Sequence, residues 1–308
     1  MERIRGMATR EYSPEEIQSR LIEISRANFY EISWNVRKQI ALDFIAKHQS
    51  ASASDVLDCL EDFEDRHLCQ LEIVSSSKDS AIGEQHFYTG NVNVTLSADD
   101  SSNVKNQIQL SRSRRYGEEI SKLVKENKFG PFDTVAELGA GYGLNLFRLS
   151  DYFSPPPRYI AAEISAAGRD FCGNLNDLEG AKIVEPQPFD HREPDLSFVG
   201  GAQSLLLITC HSIEQVQFLP QDYFGLLTAA APRVVGIHFE PFGFQADTST
   251  DRLQRHREFI HAHGFNEDFY NRLNEAERDG HLRIKKIELE KLDHQYENPT
   301  SMAVWTNF

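Results

Sequence analysis

Apolar positions along this chain change their period near residue 107, and the two parts of the pattern demand different structures. Up to that point the spacing is helical. Ser13 can accept from free backbone N–H groups at a helix start, Pro14 suits the first helical position, and Glu16 completes a capping box. Ile17, Leu21 and Ile24 then share one face. A second run of the same period covers 30–48 and a third 54–69 (SDVLDCLEDFEDRHLC), whose acidic residues predict a solvated face. Residues 75–106 are polar and rich in Ser, Asn and Asp, which predicts a long loop or cover with a short strand-like piece at 91–96. There is no internal repeat.

Beyond 107 a helix through RRYGEEISKLVKE ends near Asn127-Lys128, and Gly130-Pro131 breaks the chain. Short apolar runs then alternate with helical ones. The strands are DTVAELG, RYIAAEIS, AKIVEPQPF, SLLLITC and RVVGIHFE; the helices between them are YGLNLFRLSDYF, 166–177 and IEQVQFLPQDYFGLLTAAA. Strands that are apolar without alternation are buried on both faces, which points to a parallel sheet between helical layers. After helical stretches at 251–263 and 267–279, the chain closes with LRIKKIELEKLD and SMAVWTNF, joined by HQYENPT. So short a link cannot make a parallel crossover, so these two strands pair antiparallel. The expected fold is α/β: a Rossmann-like parallel sheet with a closing antiparallel hairpin at 107–308, and an α-helical region with a polar loop at 1–106 that serves as a cap or a dimerisation surface.

Composition narrows the function. The chain has 308 residues, 40% of them hydrophobic, enough for one large domain or a catalytic domain with a smaller addition. Its net charge of −15 and a pI near 5.2 argue against a nucleic-acid surface, which needs a basic stripe. Cys59, Cys69, Cys172 and Cys210 are scattered without a CxxC pair, so they form neither a disulfide framework nor a zinc ribbon. The first residues lack a signal peptide's apolar core, and no segment reaches the length of a membrane span, so a cytoplasmic protein is expected. Asn93-Val94-Thr95 is then a chance sequon. His256, His261 and His263 do not share the i, i+4 face of a helical metal site, and no metal is expected. Lys285-Lys286 opens an edge strand and guards it against pairing with another chain.

The chemistry centres on 135-VAELGAGYGLNLFRL-149. A triphosphate loop needs Lys-Ser or Lys-Thr after its last glycine, and Gly143 is followed by Leu144 and Asn145. A dinucleotide loop reads GxGxxG, and Leu144 stands where its last glycine belongs. This loop is GxGxG (Gly139, Gly141, Gly143), preceded by Glu137, and the next strand ends in Glu163, a carboxylate suited to two ribose hydroxyls.

These residues carry a resemblance. Residues 107–308 resemble the class I methyltransferases that use S-adenosylmethionine (SAM): 137-ELGAGYG-143 is similar to the family's first motif and Glu163 to its ribose-binding acid. Phe189-Asp190 in PQPFDH occupies the place of the family's adenine-side polar residue. The phrase 210-CHSIEQV-216 is similar to the one after the fourth strand, with Gln215 in place of the usual histidine. The resemblance implies SAM as cofactor and a binding set of Glu137, Gly139, Ala140, Gly141, Gly143, Glu163, Ile164, Phe189, Asp190 and Thr209. The phrases IQLSRSRRYGEEI, CHSIEQV, HFEPFG and NPTSMAVW are further similar to the sugar O-methyltransferases, which implies a small polar acceptor. The Asn/Asp-Pro-Pro-aromatic phrase of amino-directed nucleic-acid enzymes is absent; that place reads Thr209-Cys210-His211.

Methyl transfer to a hydroxyl benefits from a positioned base. His211 after the fourth strand and His238 beside Glu240 in the fifth are the candidates, at the carboxyl ends where open α/β sheets gather ligands. His238 also reads as a satisfied core histidine, and His211 as a support for the cofactor. Glu214 and Glu240 admit a second chemistry, gripping a cationic amine or guanidinium for N-methylation, although Glu214 also suits a helix's first turn. A third reading, of another class, is a methyltransferase-like fold that binds SAM or a partner without transfer. A small-molecule acceptor is the expected partner, with a homodimer through the N-terminal helices as a further expectation.

Overall fold

The apolar runs become a seven-stranded sheet in the computed structural model, which describes residues 30–31, 33–35, 37–67, 114–180, 183–292 and 299–308. The helix start at Ser13, the 75–106 loop with its 91–96 strand, and the Asn93 sequon lie outside the described residues. The strands are β1 (Thr134–Leu138), β2 (Arg158–Glu163), β3 (Val184–Pro188), β4 (Ser204–Cys210), β5 (Arg233–Glu240), β6 (Arg283–Leu292) and β7 (Thr300–Thr306). They lie in the order β3-β2-β1-β4-β5-β7-β6. The first five run parallel, while β7 inserts antiparallel between β5 and β6. This is the Rossmann-like sheet with a closing antiparallel hairpin expected from the sequence. β1 and β4 are neighbours although the chain leaves β1 toward β2, so the topological switch lies at their carboxyl ends.

Successive residues of the central strands feed opposite cores, as the period of two requires. Val135, Leu206, Ile208, Val235 and Ile237 join one apolar cluster, and Ala136, Leu138, Leu205, Leu207 and Val234 the other. The first layer is formed by α1 (helical at 30–31, 33–35 and 37–47), α2 (Ala53–His67), α3 (Arg114–Asn127), α4 (Leu144–Leu149) and α5 (Ala166–Glu179). The second includes α6 (Tyr223–Ala229) and α9 (Phe269–Arg278), while α7 (Gly243–Ala246) and α8 (Asp251–Ala262) pack at one end. Ser52 and Asp55 cap α2 reciprocally, with Ser52 N–H donating to Asp55 at 2.8 Å and Asp55 N–H to Ser52 Oγ at 3.2 Å. Val56, Leu57 and Leu60 of α2 enter the first core, and its N-terminal Ala53 N–H donates to Glu179 of α5 at 2.7 Å. The described part of the N-terminal region thus packs on its own domain.

Prolines explain two features. β3 carries Pro186 and Pro188 two residues apart, and Phe189 N–H, one position on, donates to Glu163 O at 3.3 Å. Both proline nitrogens therefore face away from β2, which is tolerated because β3 is an edge strand. The expected helix over 213–231 is instead a 3-10 turn at Ile213–Gln215 followed by α6, because Pro220 supplies no N–H to continue a helical ladder. The helix expected over 142–153 shrinks to α4, since Gly143 enters it at φ 83° and belongs to the loop. α7 had no clear signal in the sequence. β6 is the other edge, where Lys286 pairs with Glu288 at 2.7 Å.

Gly236 of β5 lies opposite Trp305 of β7, and a Cβ there would stand 2.2 Å from the indole. Gly236→Ala is expected to destabilise the fold by about 2–3 kcal/mol, because the fully buried ring has nowhere to retreat. Chemical denaturation measures this; an unchanged midpoint would contradict the packing.

Candidate active site

β1 ends at Leu138, and the glycine loop turns across the top of β2. Gly139 and Ala140 N–H both donate to Ala162 O, at 2.7 and 3.0 Å. Gly141 N–H donates to Glu163 Oε2 at 2.8 Å, and Ser165 N–H to Glu163 Oε1 at 2.9 Å. Burial pushes the Glu163 carboxyl above its ordinary value, although these two N–H groups and Arg169 pull against it. Gly141 sits at φ 56°, a conformation that favours glycine. Gly139 fits against the turn after β4: a Cβ there would stand 2.2 Å from Ser212, whose hydroxyl donates to Leu138 O at 2.7 Å.

Glu137 lies beneath the loop and is 1% exposed. Asn145 at the start of α4 donates to Glu137 Oε1 and the Cys210 thiol also meets the Glu137 carboxyl, while Asn145 Oδ1 finds no partner among the described residues. Burial pushes the Glu137 carboxyl up to about 8 against the pull of Asn145. Ile164 is exposed at the end of β2, and Phe189 packs edge-on to His191 and Phe198. Asp190 is gripped by the Arg192 guanidinium at 2.6–3.0 Å, which outweighs burial and holds its carboxyl below the usual range.

The other half of the site gathers at the ends of β4, β5 and β7. His211 follows β4 with φ 50°, a strained conformation for a non-glycine residue, and its N–H donates to Phe239 O at 2.9 Å. Its Nδ1 lies 3.0 Å from Glu214 Oε2 and its Nε2 2.6 Å from Thr300 Oγ1. Burial lowers the affinity of the ring for a proton, but Glu214, aided by Glu240, more than reverses this and raises the pKa of His211. Thr300 also faces the Tyr116 hydroxyl of α3. Glu240 ends β5 and accepts from the backbone N–H groups of Ser212, Ile213 and Glu214, each at 3.2 Å. It therefore ties down the turn that carries Glu214; burial pushes its carboxyl up to about 7. Glu214 also accepts from the Gln215 side chain at 2.8 Å. The Cys210 thiol is raised by burial and by Glu137 and Glu240.

Two residues of the sequence-derived set lie elsewhere. His238 is fully buried: its Nδ1 lies 2.9 Å from Thr209 Oγ1, and its Nε2 accepts from Trp305 Nε1 at 2.7 Å. Burial pushes its pKa down to about 3, so it is a neutral core histidine with both nitrogens engaged, not an acceptor-facing base. Thr209, its partner, is likewise fully buried and not on the loop. His256, His261 and His263 diverge: His256 packs on Phe244, His261 faces Glu267 at 3.2 Å, and His263 bonds Phe259 O at 2.7 Å. Among the described residues no group of three His, Cys, Asp or Glu side chains is gathered as a metal site. Thr300, Tyr116 and Asn145 join the site without having been singled out in the sequence.

No family model and no curated protein matches the chain. Solved structures similar to it include a SAM-dependent methyltransferase from Aquifex aeolicus, at 14% identity and TM-score 0.40, covering 64% of this chain and 93% of that one. Another is the magnesium protoporphyrin IX methyltransferase from Synechocystis PCC 6803 with bound SAH, at 9% identity and TM-score 0.45, covering 67% and 87%. A third is the geranyl diphosphate C-methyltransferase from Streptomyces coelicolor A3(2), at 15% and 0.41, covering 58% and 71%. The likeness is distant. No described helix is long and apolar enough to cross a membrane.

The residues present fit SAM. Glu163 accepts from two N–H groups, which leaves lone pairs on both oxygens for two ribose hydroxyls. Gly141, in the left-handed conformation, lets the loop turn its backbone N–H onto Glu163, and no lysine follows the loop to meet a triphosphate.

Proposed function

We propose that this protein is a SAM-dependent methyltransferase that methylates a hydroxyl of a small polar molecule. The observation that supports the acceptor chemistry is the chain Glu214–His211–Thr300 at the strand ends beside the glycine loop. Glu137, the glycine loop, Glu163 and the Ile164–Asp190 side hold the cofactor in this reading. When bound, SAM supplies a methyl group on a sulfonium, already activated for attack.

The protein's own part is orientation and proton transfer. Glu214 accepts from His211 Nδ1–H, which fixes the tautomer and leaves the Nε2 lone pair facing Thr300 Oγ1. An acceptor hydroxyl that met Nε2 as the Thr300 hydroxyl does would be oriented by that hydrogen bond and would give its proton to Nε2. Glu214 stabilises the resulting imidazolium, and Glu240 holds the turn that carries Glu214. The amine or guanidine reading is less supported, because Glu240 holds the backbone and Glu214 holds His211 and Gln215.

Incubation with SAM and pools of sugars, amino acids and guanidines, followed by S-adenosylhomocysteine release, tests the reading. A methylated hydroxyl is expected; a methylated amine would overturn the acceptor class. Binding without release from any pool would favour the non-catalytic alternative.

The base carries a pH signature. It must be neutral to accept a proton, and its pKa lies above the usual histidine value, so turnover is expected to rise with pH through a limb above about 6.5. Glu214→Gln removes the charge that favours the imidazolium, so the limb should move to lower pH. A limb that stays in place would exclude His211–Glu214 as the titrating pair.

A further inference from the structure

α1 lies against the glycine loop and the start of α5. A Cβ at Gly141 would stand 2.9 Å from Trp34 Cζ2, and one at Gly168, in the first turn of α5, 3.0 Å from Trp34 Cδ1. The indole meets Tyr142 edge-on at 5.4 Å between ring centroids, and the Arg37 guanidinium lies 5.0 Å from its own centroid. One turn back on α1, the Glu31 carboxylate accepts from Ser165 Oγ at 2.6 Å and from Ala167 N–H at 3.0 Å. These contacts fall on Gly141 and on the residues just after Glu163, the positions the proposed function gives to the cofactor.

We infer that α1 is an internal occupant of the cofactor cleft, with Trp34 and Glu31 seated where SAM binds, so that SAM binding requires α1 to withdraw. The inference rests on the SAM reading. Two observations argue that the chain can release this contact. The buried Trp34 Nε1–H finds no hydrogen-bond partner among the described residues, so the seat does not satisfy the side chain that fills it. The Glu31 carboxylate takes donors at a helix N-terminus that any other acceptor can take in its stead. An occupant that closes the cleft most of the time lowers apparent SAM affinity by the fraction of time the cleft is open.

Calorimetric titration of SAM into the full chain and into Trp34→Ala and Glu31→Gln tests this. Trp34→Ala is expected to tighten binding by roughly tenfold, the effect of removing an occupant that holds the cleft closed about nine-tenths of the time. Glu31→Gln, which keeps the indole packing, should shift affinity the same way by a smaller factor. The chain has two tryptophans, and Trp305 is fully buried in the sheet, so SAM should change the emission of the wild type through Trp34 and leave Trp34→Ala unchanged. Equal or weaker SAM binding by Trp34→Ala would overturn the inference while leaving the cofactor reading in place. Failure of every variant, wild type included, to bind SAM would overturn both.

Discussion

Replacing His211 with alanine is expected to lower turnover by roughly 10²- to 10⁴-fold, the usual contribution of a positioned acid or base. SAM affinity should change little, because His211 bonds Glu214 and Thr300 and neither is placed against the cofactor. Its φ of 50° complicates a simple truncation, since alanine is strained there as well. His211→Asn tolerates the left-handed backbone better and still lacks the Nε2 base, so it should lose turnover with less cost to stability. Both variants should also lose the acid limb of the pH profile. Full turnover in either would remove His211 as the base and leave it as a support for the turn after β4.

Glu163→Ala is expected to weaken SAM binding by roughly 100-fold. Two hydrogen bonds from ribose hydroxyls to a carboxylate contribute on the order of 3 kcal/mol together, and about 1.4 kcal/mol is a factor of ten. The loop also loses its anchor, because Gly141 N–H has Glu163 as its acceptor. Stability should suffer less than affinity: the carboxyl is buried and its pKa is raised, so its removal also removes a desolvation cost. Glu163→Gln keeps one acceptor oxygen and should fall between wild type and alanine. Wild-type affinity in Glu163→Ala would separate the loop from cofactor binding.

The central strands were legible because their signal is local. SLLLITC and RVVGIHFE coincide with β4 and β5 to the residue, since an apolar run bounded by turns admits few other structures. The same property left two readings of His238 open, a base and a satisfied core histidine, of which the second holds. A strand buried on both faces has no polar alternation to show which way a residue points, and His238 faces Trp305 in the core. His211 was legible as a loop residue at a strand end, but its partner was not. Thr300 lies 89 positions away and arrives only because β7 inserts beside β5. The long helix expected over 213–231 failed on the single residue Pro220, whose effect outweighed the apolar spacing around it. The glycine loop and Glu163 were readable as a motif, and the N-terminal region as a cap or a dimerisation surface, but nothing in the helical period at 30–48 tells which side chain meets Gly141.

Calorimetric titration of the wild-type chain with SAM and, separately, with NAD decides which cofactor the glycine loop holds. Saturable binding of SAM, weakened in Glu163→Ala, together with no binding of NAD, is expected. Binding of NAD without binding of SAM would contradict it.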